Sequence, residues 1–322
     1  MNSKKKLVIL TGYFKGESYG LLGPQMAATI ISENSEYEAI VVAVTNEDDK
    51  TDLKAALENH FRGTRMVIGF STLGGRPDLF HLAGDLKTKG AITILAGPQA
   101  NVDFKGEIGC ESVEHRFKGM SDRFTFALHG PVQQILPILK SGLDGDISEF
   151  DGVLYKDKAG QIKESRPAPW EDQWLSRVDW TNIFRLKGAS FARMPVTCGQ
   201  VLQQIGCPHA AKARKIQIDY PADLADGTDP KRVTITQKGC SFCDVAQDKG
   251  FMGTVGDKAV KSQMACLPEQ ADGSRVPFEL INENPLPRLD HIMELAEEFG
   301  LELSQINLTL RADYFLKGQE NP

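Results

Sequence analysis

Short, continuously apolar segments separated by amphipathic helical segments constrain the fold of this chain more than any other feature. Five such segments occupy the first part of the chain: residues 7–10, 39–44, 66–70, 91–95 and 124–128. Strands that are apolar throughout and alternate with amphipathic helices are typical of a parallel sheet covered on both faces. We therefore predict an α/β, Rossmann-like parallel-sheet domain over residues 1–145.

The loops that follow these strands are the predicted binding loops, because ligands of such sheets bind at the carboxyl ends of the strands. They comprise residues 11–16, 71–75 and 97–99. The pattern G-x-G-x-x-G is absent after the first strand, so a nicotinamide or flavin site loses its main support. Each loop glycine has an alternative interpretation, a tight turn that requires a positive φ.

Composition narrows the class of protein and of partner. A chain of 322 residues with 41% hydrophobic and 25% charged residues is typical of a globular protein of about two domains. Its net charge of -6 gives no reason to expect nucleic acid as a partner. The longest apolar run, residues 39–44, is far shorter than the roughly 18 residues of a membrane-spanning helix. With no signal-peptide pattern, the sequence predicts a cytoplasmic protein without a membrane partner.

The middle of the chain reads as a connection between two domains. Residues 151–155 and 161–163 predict a small β-hairpin, and a segment rich in proline and tryptophan follows it. We assign residues 146–190 to this hairpin and linker.

In the second half of the chain, the positions of the cysteines are the main indication of chemistry. Two thiols separated by two residues, Cys240 and Cys243, follow Gly239. Such a pair can bind a metal ion or the irons of a cluster. Taken alone it also fits half of a zinc ribbon, a redox pair or a coincidental pair of thiols.

A second motif, which also contains a cysteine, lies earlier in the chain. Gly206, Cys207 and Pro208 end a predicted strand, and Cys240-Ser-Phe-Cys243 follows later. Together they resemble the radical S-adenosylmethionine (SAM) enzymes, whose cluster loop after the first barrel strand reads Gly-Cys-Pro-x-x-Cys-x-Phe-Cys. In this chain the spacing is C-x32-C-x2-C, and Thr236 stands where that pattern would place the first ligand. We infer an insertion at about residues 210–239.

The resemblance implies a [4Fe-4S] cluster with Cys207, Cys240 and Cys243 as its ligands. It places Phe242 beside the adenine of SAM, which the reduced cluster cleaves in this family. Two alternatives stay open: a four-thiolate zinc site that adds Cys198, and no metal at all.

Residues 191–322 are predicted to form the first part of a radical SAM βα barrel. Strands are expected at 276–281 and 306–310 with a helix at 287–299 between them, so the barrel is expected to be incomplete. Barrel chemistry lies at the carboxyl ends of strands. Asn282, Glu283 and Arg311 are therefore predicted to face SAM; for Glu283 and Arg311 a surface ion pair or helix cap is an equal alternative.

The amino-terminal domain is similar to that of cobalamin-binding radical SAM proteins. The resemblance is carried by Ser71-Thr-Leu73, by Gly97 and Pro98, and by Gly130 after His129. Tyr13 occupies the place of the histidine in the cobalamin motif D-x-H-x-x-G, so any cobalamin is expected to bind without a histidine on its lower face. His129 is interpreted as structural.

The resemblance thus implies an enzyme that binds a [4Fe-4S] cluster, SAM and cobalamin, with methyl transfer or radical rearrangement as its reaction. An external electron donor and a small-molecule substrate are the implied partners, and the sequence identifies no catalytic residue beyond the cofactor sites. The alternative is a non-catalytic protein that binds zinc, an iron–sulfur cluster or cobalamin.

Overall fold

The structure is a computed structural model that describes residues 4–71, 75–106, 118–143, 145–210, 213–219, 232–237 and 251–309. The strands of the large sheet are β1 (Lys5–Gly12), β2 (Tyr37–Val44), β3 (Val67–Ser71), β4 (Ile92–Ala96), β5 (Phe126–Leu128), β6 (Val153–Lys156), β7 (Ile162–Glu164), β8 (Ile183–Lys187) and β9 (Ser190–Arg193). The later strands are β10 (Gly199–Leu202), β11 (Gln204–Gly206), β12 (Arg214–Asp219), β13 (Arg232–Gln237), β14 (Phe251–Thr254), β15 (Phe278–Ile281) and β16 (Ile306–Leu308). The α-helices are α1 (Leu22–Asn34), α2 (Lys50–Phe61), α3 (Pro77–Thr88), α4 (Ala100–Lys105), α5 (Ile135–Lys140), α6 (Asp257–Cys266) and α7 (Leu289–Glu298).

Nine of the described strands form one sheet in the order β7-β6-β5-β4-β3-β1-β2-β8-β9. The strands from β5 across to β8 are parallel, and antiparallel hairpins complete both edges. Within this sheet the order 2-1-3-4-5 is that of a flavodoxin-like doubly wound fold. The predicted α/β fold class and the predicted hairpin at 151–163 are confirmed.

Burial on both faces explains why the central strands are continuously apolar. Leu7 and Ile9 of β1 belong to one apolar cluster, whereas Val8 and Leu10 belong to the cluster on the opposite face. A strand covered by helices on both sides has no face left for polar residues. The pattern that predicted the strands is therefore a direct result of their packing.

A second, three-stranded sheet has the order β10-β15-β16, and its pairs are parallel. The connection from β10 to β15 contains α6, and the connection from β15 to β16 contains α7. Val201, Phe278 and Leu280 face the apolar cluster that also includes Ile292 and Leu295 of α7. These βα units agree with the predicted strands at 276–281 and 306–310 and the predicted helix at 287–299.

The segment assigned to the hairpin and linker also contributes to the large sheet. β8 pairs with β2 in parallel, and β9 pairs with β8. The sequence did not predict these two strands. They place the chain beside β2 immediately before it enters the second sheet.

The loop after β1 connects the two sheets. The Gly20 N–H donates to the Cys198 carbonyl oxygen at 2.7 Å, and the Thr197 N–H donates to the Ser18 carbonyl oxygen at 2.9 Å. The Leu22 N–H donates to Oε1 of Gln200 at 3.0 Å. The loop therefore runs along β10 much as a further strand would.

The carboxylate of Asp78, at the start of α3, is expected to make the stability of the protein depend on pH. Nε and Nη2 of Arg76 donate to its two oxygens at 2.9 and 2.8 Å, and Nζ of Lys50 lies 3.1 Å away. Burial opposes the charged carboxylate, but the hydrogen bonds from Arg76 and Lys50 outweigh it and lower the pKa of Asp78 to about 2. The folded state therefore binds fewer protons than the unfolded state between that pH and the ordinary pKa of about 3.9.

We expect Asp78→Asn to lower the free energy of unfolding by about 1 kcal/mol at neutral pH. Because the folded pKa is the lower one, the stabilisation is complete above about pH 4 and is lost as the pH falls toward 2. Urea unfolding of both proteins at pH 7, 4 and 3 measures this difference. A difference that stays constant over this range would contradict the assignment.

Candidate functional site

The predicted binding loops lie at one edge of the large sheet. Thr11 of β1 aligns with Ser71 of β3, and Ser71 aligns with Ala96 of β4. Leu95 of β4 aligns in turn with Ala127 of β5. The loops that begin after these strands therefore share the carboxyl edge, and the topological switch point lies between β1 and β3. Ser71 is buried there, and Leu73 lies outside the described residues.

Two glycines lie in the loops at this edge of the sheet, where they leave the backbone without a side chain. Gly97 and Gly130 have φ values of 101° and 96°, which side chains disfavour. A Cβ on Gly130 would lie 2.7 Å from Cβ of Pro167. Gln134 fixes the same loop, because its Nε2 donates to the His129 and Pro131 carbonyl oxygens at 3.0 and 2.9 Å. The turn interpretation therefore holds for Gly130, whereas Gly97 and Pro98 are exposed and accessible to a ligand.

Tyr13 is buried, and its hydroxyl is engaged within the protein. It donates to the Tyr19 carbonyl oxygen at 2.6 Å, and the two rings lie 4.7 Å apart. Burial, followed by the charges of Tyr19 and Glu17, raises the pKa of Tyr13 well above its ordinary value. The phenol is therefore neutral and is not presented to a ligand at the sheet edge. That Tyr13 belongs to a cobalamin site without a histidine on its lower face stays a prediction.

Two further groups at this edge bear on ligand binding. Nε2 of His129 lies 2.9 Å from the Ser165 carbonyl oxygen, so the imidazole is held by the hairpin. Oγ1 of Thr11 is buried and has no hydrogen-bond partner within the described ranges. A buried, unsatisfied hydroxyl costs free energy and is a point where a ligand or water can bind.

We expect Tyr13→Phe to lower the free energy of unfolding by about 1 kcal/mol, because the Tyr19 carbonyl oxygen loses its donor. Tyr19→Phe is the matched control, since its hydroxyl forms no hydrogen bond to a described residue. Denaturant unfolding of both variants measures the effect. Equal stability of Tyr13→Phe and the parent protein would contradict the role of this bond.

Cys207 is buried at the end of β11, directly after Gly206. β11 pairs with β14 in antiparallel orientation, and Gly206 lies opposite Phe251. The two ends of segment 207–250 are thereby held side by side. Cys240, Phe242 and Cys243 fall within this closed loop, but they lie outside the described residues.

The described part of the predicted insertion is an antiparallel hairpin of β12 and β13. Thr236, at the literal position of the first ligand, lies within β13 opposite Lys215. Threonine carries no thiol, and the assignment of the first ligand to Cys207 stays a prediction.

A pair of buried amides joins the carboxyl ends of β10 and β15. Nδ2 of Asn282 donates to Oε1 of Gln203 at 2.7 Å, and Oδ1 of Asn282 accepts from the Asn284 N–H at 2.8 Å. The Val255 N–H donates to the Gln203 carbonyl oxygen at 2.8 Å. Asn282 thus positions the strand ends near Cys207, and Glu283 beside it is exposed. Arg311 lies outside the described residues.

Polar side chains line the face of the small sheet that is turned away from α6 and α7. Nε2 of Gln200 donates to Oε2 of Glu279 at 3.1 Å, and Oγ1 of Thr309 donates to Oε1 of Glu279 at 3.0 Å. Sequence analysis missed both Gln200 and Glu279. The signal that could have found them is the period-two alternation with buried Val201 and Phe278.

Cys198 is placed differently from Cys207. It precedes the amino end of β10, whereas Cys207 lies beyond the carboxyl end of that strand. Burial raises the pKa of the Cys198 thiol; the hydrogen bond from Asn307 opposes this, and the charge of Glu279 adds to it. The two thiols therefore lie beyond opposite ends of β10.

The described residues contain no group of three His, Cys, Asp or Glu side chains that could hold a metal ion. Over the same ranges, no helix is both long enough and apolar enough to span a bilayer.

The fold of this chain is similar to that of known proteins, although its sequence is not. No protein-family model and no curated protein matches the sequence. Among solved structures, the chain is similar to the radical SAM methyltransferase TsrM from Kitasatospora setae, with cobalamin and a [4Fe-4S] cluster bound. The identity is 14% and the TM-score 0.54, over 91% of this chain and 50% of that one.

A second similar structure is the cobalamin-dependent radical SAM enzyme OxsB with aqua-cobalamin and SAM bound. The identity is 12% and the TM-score 0.51, over 94% of this chain and 38% of that one. The chain thus spans half or less of the length of these structures, and at such identities the likeness concerns the fold. The resemblance predicted from the cysteine motifs is confirmed at that level: this chain has the fold of the cobalamin-dependent radical SAM enzymes.

Proposed function

We propose that this chain is a radical SAM enzyme that holds a [4Fe-4S] cluster through Cys207, Cys240 and Cys243. The observation that carries the proposal is the position of Cys207, which is buried directly after the short strand β11, just beyond β10 of the parallel βα sheet. The other two thiols belong to the loop that β11 and β14 close. Three thiolates suit a four-iron cluster that keeps one iron open to a further ligand.

When bound, the reduced cluster supplies the electron that cleaves SAM and yields a 5'-deoxyadenosyl radical. The protein has to bind and orient SAM for this chemistry. We assign the adenine to Phe242 and the polar end of SAM to Asn282, Glu283 and Arg311. The exposed carboxylate of Glu283 is suited to accept a hydrogen bond from an ammonium group.

We place cobalamin at the carboxyl edge of the large sheet, against Ser71, Leu73, Gly97, Pro98 and Gly130. Two observations support this placement: the positive-φ Gly97 and its neighbour Pro98 are exposed, and the buried hydroxyl of Thr11 has no partner among the described residues. Tyr13 lies at the same edge with its hydroxyl held by Tyr19, so the protein offers the lower face no ligand at that position. When bound, cobalamin supplies a carrier for a methyl group, and methyl transfer or radical rearrangement is the proposed reaction.

Anaerobic reconstitution with iron and sulfide tests this function. We expect about four irons per chain and, with dithionite and SAM, release of 5'-deoxyadenosine measured by mass spectrometry. Cys240→Ala should lose both. About one zinc per chain without iron would instead support a non-catalytic metal-binding protein.

Cobalamin needs a separate test, because it would bind to a different sheet. Protein purified in the presence of hydroxocobalamin should retain it, as measured by its visible absorption. A protein that forms the cluster but retains no cobalamin would leave only the radical SAM part of the proposal. The cytoplasmic location, the external electron donor and the small-molecule substrate stay predictions of the sequence.

A further inference from the structure

Three side chains on the polar face of the small sheet form one row across its strands. Gln200 of β10 aligns with Glu279 of β15, and Glu279 aligns with Asn307 of β16, so the three side chains stand next to each other. All three are half-buried, whereas their neighbours along β10 and β15 are buried on the opposite face. The row is thus a surface of two amides with a carboxylate between them.

Both amides of the row are held in place by hydrogen bonds. Oε1 of Gln200 accepts from the Leu22 N–H, the first of helix α1, at 3.0 Å. Oδ1 of Asn307 accepts from Nε2 of Gln305 at 2.6 Å, and its Nδ2 donates to Sγ of Cys198 at 3.7 Å. The orientation of each amide is thereby fixed, and Nε2 of Gln200 is directed to the carboxylate beside it.

Glu279 carries the charge of this row, and its partners are neutral. Its Oε2 accepts from Nε2 of Gln200 at 3.1 Å, and its Oε1 accepts from Oγ1 of Thr309 at 3.0 Å. A carboxylate can accept about four hydrogen bonds, so about two acceptor sites stay open. The cations described around the small sheet, Lys261, Arg275 and His291, form their ion pairs with other carboxylates. Among the described residues, the half-buried carboxylate is therefore bound by neutral donors alone.

An apolar pair lies directly beyond this row, toward the carboxyl ends of the strands. Leu202 aligns with Ile281, and the period of two places both on the same face as Gln200 and Glu279. Both are half-buried. Two residues along a strand correspond to about 6.6 Å. A ligand on this face therefore contacts a carboxylate at its inner end and apolar side chains further out, on the side of Asn282 and the proposed SAM site.

We propose that Glu279 determines substrate specificity by binding a cationic N–H donor, such as a primary ammonium group, of a small organic substrate. The apolar part of this substrate lies against Leu202 and Ile281. A charged donor fits because hydrogen bonds between ionised groups are the stronger ones, and the same carboxylate disfavours an anionic substrate. This inference rests on the proposed function, because turnover of the substrate needs the cluster and SAM, whereas binding of its cation does not.

Calorimetric titration of the full chain with three probes of equal length tests this assignment. The probes are n-hexylamine, hexan-1-ol and hexanoate, which differ in the charge of the head group. We expect n-hexylamine to bind about tenfold more tightly than hexan-1-ol, and hexanoate to bind most weakly. Glu279→Gln should lower the affinity for n-hexylamine about tenfold and leave that for hexan-1-ol unchanged. Each titration is done before and after reconstitution of the cluster, so that binding is measured separately from turnover.

Two variants complete the design. Glu279→Asp keeps the charge and should keep the preference for the amine. Glu302→Gln removes an exposed carboxylate from the loop before β16 and should change neither affinity. Equal affinity of Glu279→Gln and the parent protein for hexan-1-ol shows that the variant has folded.

The outcomes separate this inference from the proposed function. If the parent protein binds n-hexylamine no more tightly than hexan-1-ol, or if Glu302→Gln loses the preference as fully as Glu279→Gln, the role of Glu279 is wrong. If the preference depends on Glu279 in a protein that forms no cluster, the proposed function fails and the cation site stands. If the cluster forms and cleaves SAM but the amine is not preferred, only the cation site is wrong.

Discussion

Replacing Cys207 with alanine should abolish assembly of the iron–sulfur cluster and reduce 5'-deoxyadenosine formation to background. The physical reason is that the variant would leave only two of the three thiolates that the proposed function assigns to the cluster. Iron and sulfide analysis after anaerobic reconstitution measures the first effect, and mass spectrometry measures the second.

Cys198→Ala and Cys266→Ala are the matched controls. Both thiols are half-buried and close to the small sheet or its helix α6, yet neither belongs to the proposed ligand set. They should keep the full iron content. Retention of the cluster in Cys207→Ala, together with its loss in Cys198→Ala, would show that the wrong cysteine has been assigned.

Gly20→Ala should destabilise the protein by about 1–3 kcal/mol, because the added methyl group has no space. A Cβ at this position would lie 2.5 Å from Cε3 of Trp180 and 3.1 Å from Cγ1 of Val196. Trp180 is only 4% exposed, so its ring cannot move into solvent. Denaturant unfolding measures the loss.

Gly23→Ala provides the comparison, since a Cβ there meets nothing within 4 Å and the residue lies in α1. Because the ring of Pro24 disfavours a Cβ on the preceding helical residue, alanine there should change the free energy of unfolding by less than about 1 kcal/mol. A second variant, Gly20→Ala/Trp180→Phe, should regain part of the lost stability because the smaller ring vacates space. If Gly20→Ala is as stable as the parent, the close packing described at this loop is incorrect.

The strands of the large sheet could be predicted because their pattern has a local cause. The burial of β1 and β2 on both faces makes each a continuous apolar run. α2 begins at Lys50, directly after Asp49, whose side chain accepts hydrogen bonds from the N–H groups of Thr51 and Asp52. β8 was missed because only its first residue, Ile183, is fully buried, so the segment is not a continuous apolar run. It pairs with β2, far away in sequence, and with the adjacent β9.

The same distinction applies to the site. Cys207 was found because a local Gly-Cys-Pro motif marks it. Gln203 and Glu279 carry no motif, and their roles follow from contacts with Asn282 and Gln200 on other strands. The insertion was predicted from spacing alone, whereas its hairpin depends on pairs such as Ile216 with Ile235 across a long connection. Motifs thus identify proposed ligands, and only the fold identifies the residues that position them.

The loop after β1 has a consequence for how ligands would enter and leave. Its hydrogen bonds to the segment directly before β10, from Gly20 to Cys198 and from Thr197 to Ser18, tie the two sheets together. One apolar cluster also contains both Leu7 of the large sheet and Phe278 of the small one. A hinge opening between the sheets would have to break both. Entry and exit of small molecules should therefore depend on rearrangement of loops, while the two sheets stay together.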